Sequence, residues 1–124
     1  MIPKRLYKFG MTSFPDVLDR YSVQRHYEEG WRARPLAEDY DVRVLWSRWV
    51  TLEEAEDAER WFKTNYPKNF SSTITYNGIT ECRHWSPDQS YAFTEVLNKK
   101  FPKKDFDEER NRKIYFVMLT LKPA

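Results

Sequence analysis

The chain is short of the residues that build disulfide and zinc sites. One cysteine in 124 residues, Cys82, excludes an internal disulfide and fits a reducing compartment. Two histidines and that cysteine are too few soft ligands for a structural zinc site. The longest apolar run, Ile114 to Leu119, is far too short to span a bilayer. No signal peptide is expected, because Met1-Ile2-Pro3-Lys4-Arg5 leads straight into a polar strand. Repeats and low-complexity tracts are absent. The net charge of +2 excludes a polybasic tail, so any nucleic-acid binding needs a local basic patch. These absences describe a cytoplasmic protein with no membrane partner.

What is present is enough for one core. Apolar residues make up 40% and charged residues 32%, which predicts one well-solvated globular domain over 1–124. Aromatics reach 17%, more than a core of this size needs, which leaves some for surfaces on which bases stack. Tyr7–Gly10 reads as a short strand that enters a Gly-Met-Thr-Ser turn. A first helix is expected over Pro15–Glu29, with Ser13 as N-cap, Pro15 in the first turn and Gly30 as its stop. Trp31-Arg32-Ala33-Arg34-Pro35 follows as a basic, aromatic loop. It either folds Trp31 back onto the helix end or offers Arg32 and Arg34 to phosphates. Asp41–Val50 reads as a strand with Val42, Val44 and Trp46 on one face.

Thr51-x-x-Glu54 is a capping box that opens a second helix running to about Asn65. Its apolar stripe is Leu52, Ala55, Ala58, Phe62 and Tyr66, and Glu59 falls inside that stripe. A carboxylate there is costly unless it is paired, bound to metal or at the wet edge. Asn77-Gly78 between strand-like runs predicts a hairpin, with Tyr76 facing Ile79 and Ile74 facing Glu81. Ser86-Pro87-Asp88-Gln89 opens a third helix whose buried face is expected to be Ala92, Phe93, Val96, Leu97 and Phe101. The charged connector Pro102–Asn111 is a solvated stretch. Lys113–Thr120, apolar on both faces, reads as a central strand. The fold class expected is α+β, a small antiparallel sheet flanked by about three helices.

Lys8-Phe9-Gly10-Met11-Thr12, followed by Arg20 on the next helix, resembles the second half of the GIY-YIG nuclease signature, in the phage-type branch that writes it Lys-Ile-Gly-x-Thr. Ala55-x-x-Ala58-Glu59, closing in Tyr66-Pro67-Lys68-Asn69, resembles that family's Ala-x-x-Leu-Glu helix and its Pro-x-x-Asn. Asn77-Gly78-Ile79-Thr80-Glu81-Cys82-Arg83 resembles its Gly-x-Thr-Glu-x-Phe segment. The resemblance divides the single domain into a core over 5–70, a hairpin and helix over 72–101 and a C-terminal strand over 112–121.

Two departures stand out. Lys8 replaces the first tyrosine of "YIG", with Tyr7 one position earlier on the other strand face, and no "GIY" strand precedes it. Lys113-Ile114-Tyr115-Phe116-Val117 is the candidate for that strand in a circularly permuted arrangement. Nine residues follow Tyr115 and six precede Tyr7, so joined ends would leave fifteen between the half-motifs. The bland alternative is that this strand merely extends the sheet.

The resemblance implies an endonuclease that hydrolyses phosphodiester bonds of nucleic acid, DNA foremost, with one Mg²⁺. It implies a tyrosine near the attacking water, Tyr115 or Tyr7. It implies Arg20 on the phosphate, Glu59 as the metal ligand and Lys8 as a phosphate contact or water orienter. Thr12 and Ser13 of the turn, with Arg32 and Arg34, are the expected nucleic-acid contacts. The competing expectation is a catalytically degenerate phage-type module that binds nucleic acid or a host protein.

Overall fold

A computed structural model describes residues 4–123; Met1–Pro3 and Ala124, over which part of the joined-ends spacing runs, lie outside the described residues. The architecture is α+β. A four-stranded antiparallel sheet carries strands in the order β2-β4-β1-β3, where β1 is Arg5–Thr12, β2 Tyr40–Val50, β3 Cys82–Trp85 and β4 Arg112–Leu121. Four α-helices occur among the described residues: α1 (Val23–Glu28), α2 (Leu36–Asp39), α3 (Leu52–Asn65) and α4 (Pro87–Lys100).

β4 is central, as its two-sided apolar pattern requires, and Ile114, Tyr115, Phe116 and Val117 are all buried. It pairs with β1 so that Phe9 faces Phe116 and Gly10 faces Tyr115. Alternation then sends neighbouring residues to opposite faces. Tyr7, Phe9, Ile114 and Phe116 pack beneath α3 and α4, on Ala55, Ala58, Phe62, Phe93 and Leu97. Leu6, Tyr115, Val117 and Leu119 pack on the other face with Val17, Leu36 and Tyr76.

Both long helices start as their sequences dictate. The Thr51–Glu54 and Ser86–Gln89 capping boxes are complete, each satisfying two backbone donors reciprocally. α4 buries only Ser90, Phe93 and Leu97 (Ala92 and Val96 face outward), so its inward stripe is narrower than expected. The first helix also differs from expectation. Ser13 caps nothing. The Asp16 side chain caps a short 3-10 turn over Val17–Tyr21, and Ser22 restarts the chain as α1 by accepting from Arg25 N–H. Two competing side-chain caps thus cut one expected helix into two pieces.

The Asn77-Gly78 hairpin does not form. Thr75 and Asn77 bond to the backbone of Arg34 instead, and Gly78, at φ +80°, turns the chain into a 3-10 turn over Ile79–Glu81. A register shift between Val44 and Trp46 breaks the alternation of β2. It sends Trp46 and Val50 to the α3–α4 face while Val42 and Val44 pack on the opposite one. At the free side of β3, the Asn69 amide exchanges two bonds with the His84 backbone. Nδ2 donates to the carbonyl at 2.8 Å, and Oδ1 accepts from the N–H at 2.7 Å. Arg83 is fully enclosed, donating to the carbonyls of Tyr66, Thr80 and Cys82 at 2.7–2.8 Å with its guanidinium over the Phe62 ring.

Candidate active site

The cross-strand pair of Gly10 and Tyr115 builds the centre of the site. Gly10 has no side chain, so the Tyr115 ring lies over its backbone. Lys8, two residues along on the same face, extends beside it. A Cβ at Gly10 would stand 2.6 Å from the Tyr115 hydroxyl and 2.8 Å from Lys8 Nζ. The Lys8 stem is held from the other side by Gly78, where a Cβ would come within 2.6 Å of its Cε. Two glycines, 68 positions apart in the chain, thus leave the slot that one buried lysine fills.

Lys8 Nζ donates to the Tyr115 hydroxyl at 3.0 Å, and the Tyr21 hydroxyl donates to the same oxygen at 2.9 Å. Burial works against charge on Lys8, but Tyr115, Cys82 and Glu81 outweigh it and hold the ammonium above the usual lysine value. Lys8 is therefore a cation at neutral pH and only a donor. Burial, then Tyr115, pushes the Tyr21 phenol well above its ordinary value, so Tyr21 keeps its proton. Arg20, Tyr21 and Lys8 line one narrow crevice with His26 and Leu36, whose interior of about 20 Å³ has room for one water molecule.

Two carboxylates lie within electrostatic reach of Lys8, although neither Glu59 nor Glu81 lines the crevice that Lys8, Arg20 and Tyr21 share. Glu59 is half-buried and makes no hydrogen bond or ion pair with any described residue. Burial first, then Glu81, raises its carboxyl above the ordinary range, and Lys8, Lys63 and Arg20 only partly offset this. Burial alone would also raise Glu81. The Thr80 hydroxyl, Lys8 and Lys63 outweigh it, with Lys63 Nζ at 3.4 Å, and Glu81 is lowered. No group of three or more His, Cys, Asp or Glu able to hold a metal is found among the described residues. An unpartnered carboxylate with a second one in electrostatic reach still suits Mg²⁺, which keeps most of its water and asks one or two carboxylates of a protein.

The other expected residues lie elsewhere. Tyr7 points to the opposite face, where it stacks on Phe116 at 5.4 Å, and takes no part in the crevice. Thr12 is buried and its hydroxyl accepts from Phe14 N–H, which shapes the turn, while Ser13 is exposed. Arg34 is engaged within the fold, bidentate to Asp39 at 2.7 and 2.8 Å, and the Tyr76 hydroxyl donates to the same carboxylate. The Arg34 guanidinium, then Tyr76, holds Asp39 down at about 2. Arg32 is exposed and free of any described partner. Comparison with protein-family models, curated proteins and solved structures yields no match.

Sequence reasoning missed Tyr21 as a member of the group. Its partner lies 94 residues away, and no local pattern signals the pairing. Cys82 sits beside Lys8 as a buried thiol that burial pushes up to about 11, which keeps it unreactive.

Proposed function

We propose that this chain is a GIY-YIG-like endonuclease in circularly permuted form, hydrolysing phosphodiester bonds of nucleic acid, DNA foremost. One observation carries the reading. Lys8 and Tyr21 converge on the Tyr115 hydroxyl, and Arg20 lines the same crevice, although these residues come from the two ends of the chain. The pairing of β4 with β1 supports the permuted order, since it sets Tyr115 directly opposite the glycine of Lys8-Phe9-Gly10.

The reaction needs a placed water, neutralised phosphate charge and help for the departing oxygen. Tyr115, fixed by two donors, positions the water through its hydroxyl. Arg20 offers a planar fork to the non-bridging phosphate oxygens. Lys8 supplies a fixed positive charge beside the developing negative one. Glu59 would hold the divalent ion, which when bound would supply charge neutralisation on the phosphate and on the oxygen that departs as its bond to phosphorus breaks.

The experiment is nicking of supercoiled plasmid with Mg²⁺, repeated with EDTA and with Glu59→Gln. Activity that stops in both, with the variant still folded, is the expected result. A second reading, a degenerate module that binds nucleic acid or a host protein, is favoured by one observation: Tyr115 is 0% exposed and Lys8 6%. A parent protein that never nicks, yet shifts DNA with or without metal, establishes that reading instead.

A further inference from the structure

The crevice at Lys8 and Tyr21 does not end there. A second narrow crevice shares Arg20, Ser22 and His26 with it and runs on to Phe14, Arg25 and Trp31. Trp31 is held in place on two sides. One face of its indole stacks on the His26 ring at 6.3 Å and 30°, and its N–H donates to Glu29 Oε2 at 2.9 Å. The support is itself rigid, because His26 is buried and its Nε2 donates to the Ala33 carbonyl at 2.6 Å. Yet Trp31 remains 50% exposed, and no other ring or cation lies against it among the described residues.

Trp31 thus folds back onto the end of α1, one of the two uses its loop predicts, and half of its surface still stays open. Arg25 is fixed nearby in the same way, its guanidinium 4.2 Å from the Phe14 ring centre and its Nη1 on the Asp19 carbonyl. Glu29 lines the same crevice and puts a negative charge at the N–H edge of the indole, so a phosphate backbone would keep to Arg25 and Arg20. A fixed aromatic face beside a file of cations is the arrangement that holds unpaired bases, whose π-faces are open to stack. Bases inside a duplex offer no such face.

Resting on the nucleic-acid reading above, we infer that Trp31 is a stacking platform for a single-stranded segment, whose phosphates run past Arg25 to Arg20. The substrate class is then DNA with an unpaired strand, such as an overhang, a frayed end or the locally unwound stretches of a supercoiled plasmid, rather than relaxed continuous duplex.

The test is binding of labelled oligothymidylate, and of a duplex of equal length, followed by fluorescence anisotropy at low salt in EDTA. Trp31→Ala should weaken single-strand binding about 5- to 150-fold, the worth of one stacked base. Trp31→Phe, which keeps a π-face, should restore most of it, and duplex binding should be unmoved by either change. A Trp31→Ala protein that binds the single strand like the parent overturns the inference. So does a parent that prefers the duplex or binds neither. EDTA removes cleavage from the measurement. Loss of nicking therefore counts against the catalytic reading alone, and unaltered oligothymidylate binding counts against Trp31 alone.

Discussion

Gly10→Ala tests whether the slot around Lys8 and Tyr115 is as tight as its geometry demands. The backbone at Gly10 lies outside the left-handed region, so alanine is allowed and should gain about 0.4–1 kcal/mol from the stiffer unfolded chain. The added methyl would meet the Tyr115 hydroxyl at 2.6 Å and its ring carbon at 2.8 Å. An ordinary contact needs at least 3.4 Å, so the hydroxyl must retreat by about 0.8 Å, and a fully buried ring has no free space to do so. Overpacking of this kind costs about 1–3 kcal/mol. Taking the middle of each range, the net loss is about 1.3 kcal/mol, a fall of about 5 °C in Tm for a domain of this size. Because the added carbon, the hydroxyl and Lys8 Nζ form a triangle of 2.6, 2.8 and 3.0 Å, pushing the hydroxyl back stretches the Lys8–Tyr115 bond to about 3.5 Å, the outer limit of hydrogen bonding. On the nuclease reading proposed above, a shift near 1 Å in a catalytic group costs about 100-fold in rate. Thermal denaturation read by circular dichroism gives the first number and Mg²⁺-dependent nicking the second. In a Tyr115→Leu background, which removes the hydroxyl and the ring carbon, the Gly10→Ala penalty should largely vanish. A Tm unchanged by Gly10→Ala, or an equal penalty in both backgrounds, refutes the packing argument.

Three further outcomes are expected. Arg83→Met should lower stability by about 2–4 kcal/mol, because the buried Cys82 carbonyl and the part-buried carbonyls of Tyr66 and Thr80 lose their donor together; a melt that drops by less than about 4 °C would contradict it. Tyr76→Phe removes the second of the two donors that hold Asp39 at about 2, so its carboxyl should titrate higher in an NMR pH series. Since a depressed carboxyl stabilises above its unfolded pKa and loses that contribution as pH falls through the folded one, acid unfolding of Tyr76→Phe should begin at higher pH. An unmoved Asp39 titration would leave Arg34 as the sole determinant. Glu59→Gln should leave the neutral-pH melt unchanged or higher. The raised carboxyl of Glu59 means the folded state holds a proton more readily than the unfolded one, so the parent loses stability as pH rises from 4.5 through the folded value. A clear drop in the variant's melt at neutral pH would reveal a cationic partner and count against a free metal ligand.

How far the chain can be read without its structure depends on how local each signal is. The capping boxes at Thr51 and Ser86 are complete within four residues, and both helices begin where they predict. β4 declares itself central because Ile114–Val117 is apolar on both faces. The expected Pro15–Glu29 helix fails because the Asp16 and Ser22 side chains each stop a helix as readily as they start one. The hairpin at Asn77-Gly78 loses to a distant competitor: the Arg34 backbone takes the hydrogen bonds that a facing strand needs. The phase of β2 is set by a bulge that no residue pattern marks. At the site, Lys8 and Gly10 are legible as one short motif, and Glu59 as a carboxylate on an apolar stripe. The meeting of Tyr21, Lys8 and Tyr115 depends on strand order, which lies beyond any local reading.

The Asn69 amide on β3 has a consequence for how this protein behaves when concentrated. The border of a sheet is a template on which a second chain can grow, and proteins that leave it bare are prone to fibre formation. β3 is only four residues long, and Asn69 fills the donor and acceptor of His84 with a side chain that cannot propagate. It acts as a strand one residue long that stops another from starting on this edge. Its loss would leave the fold and the site intact and yet shorten the protein's life in a concentrated solution.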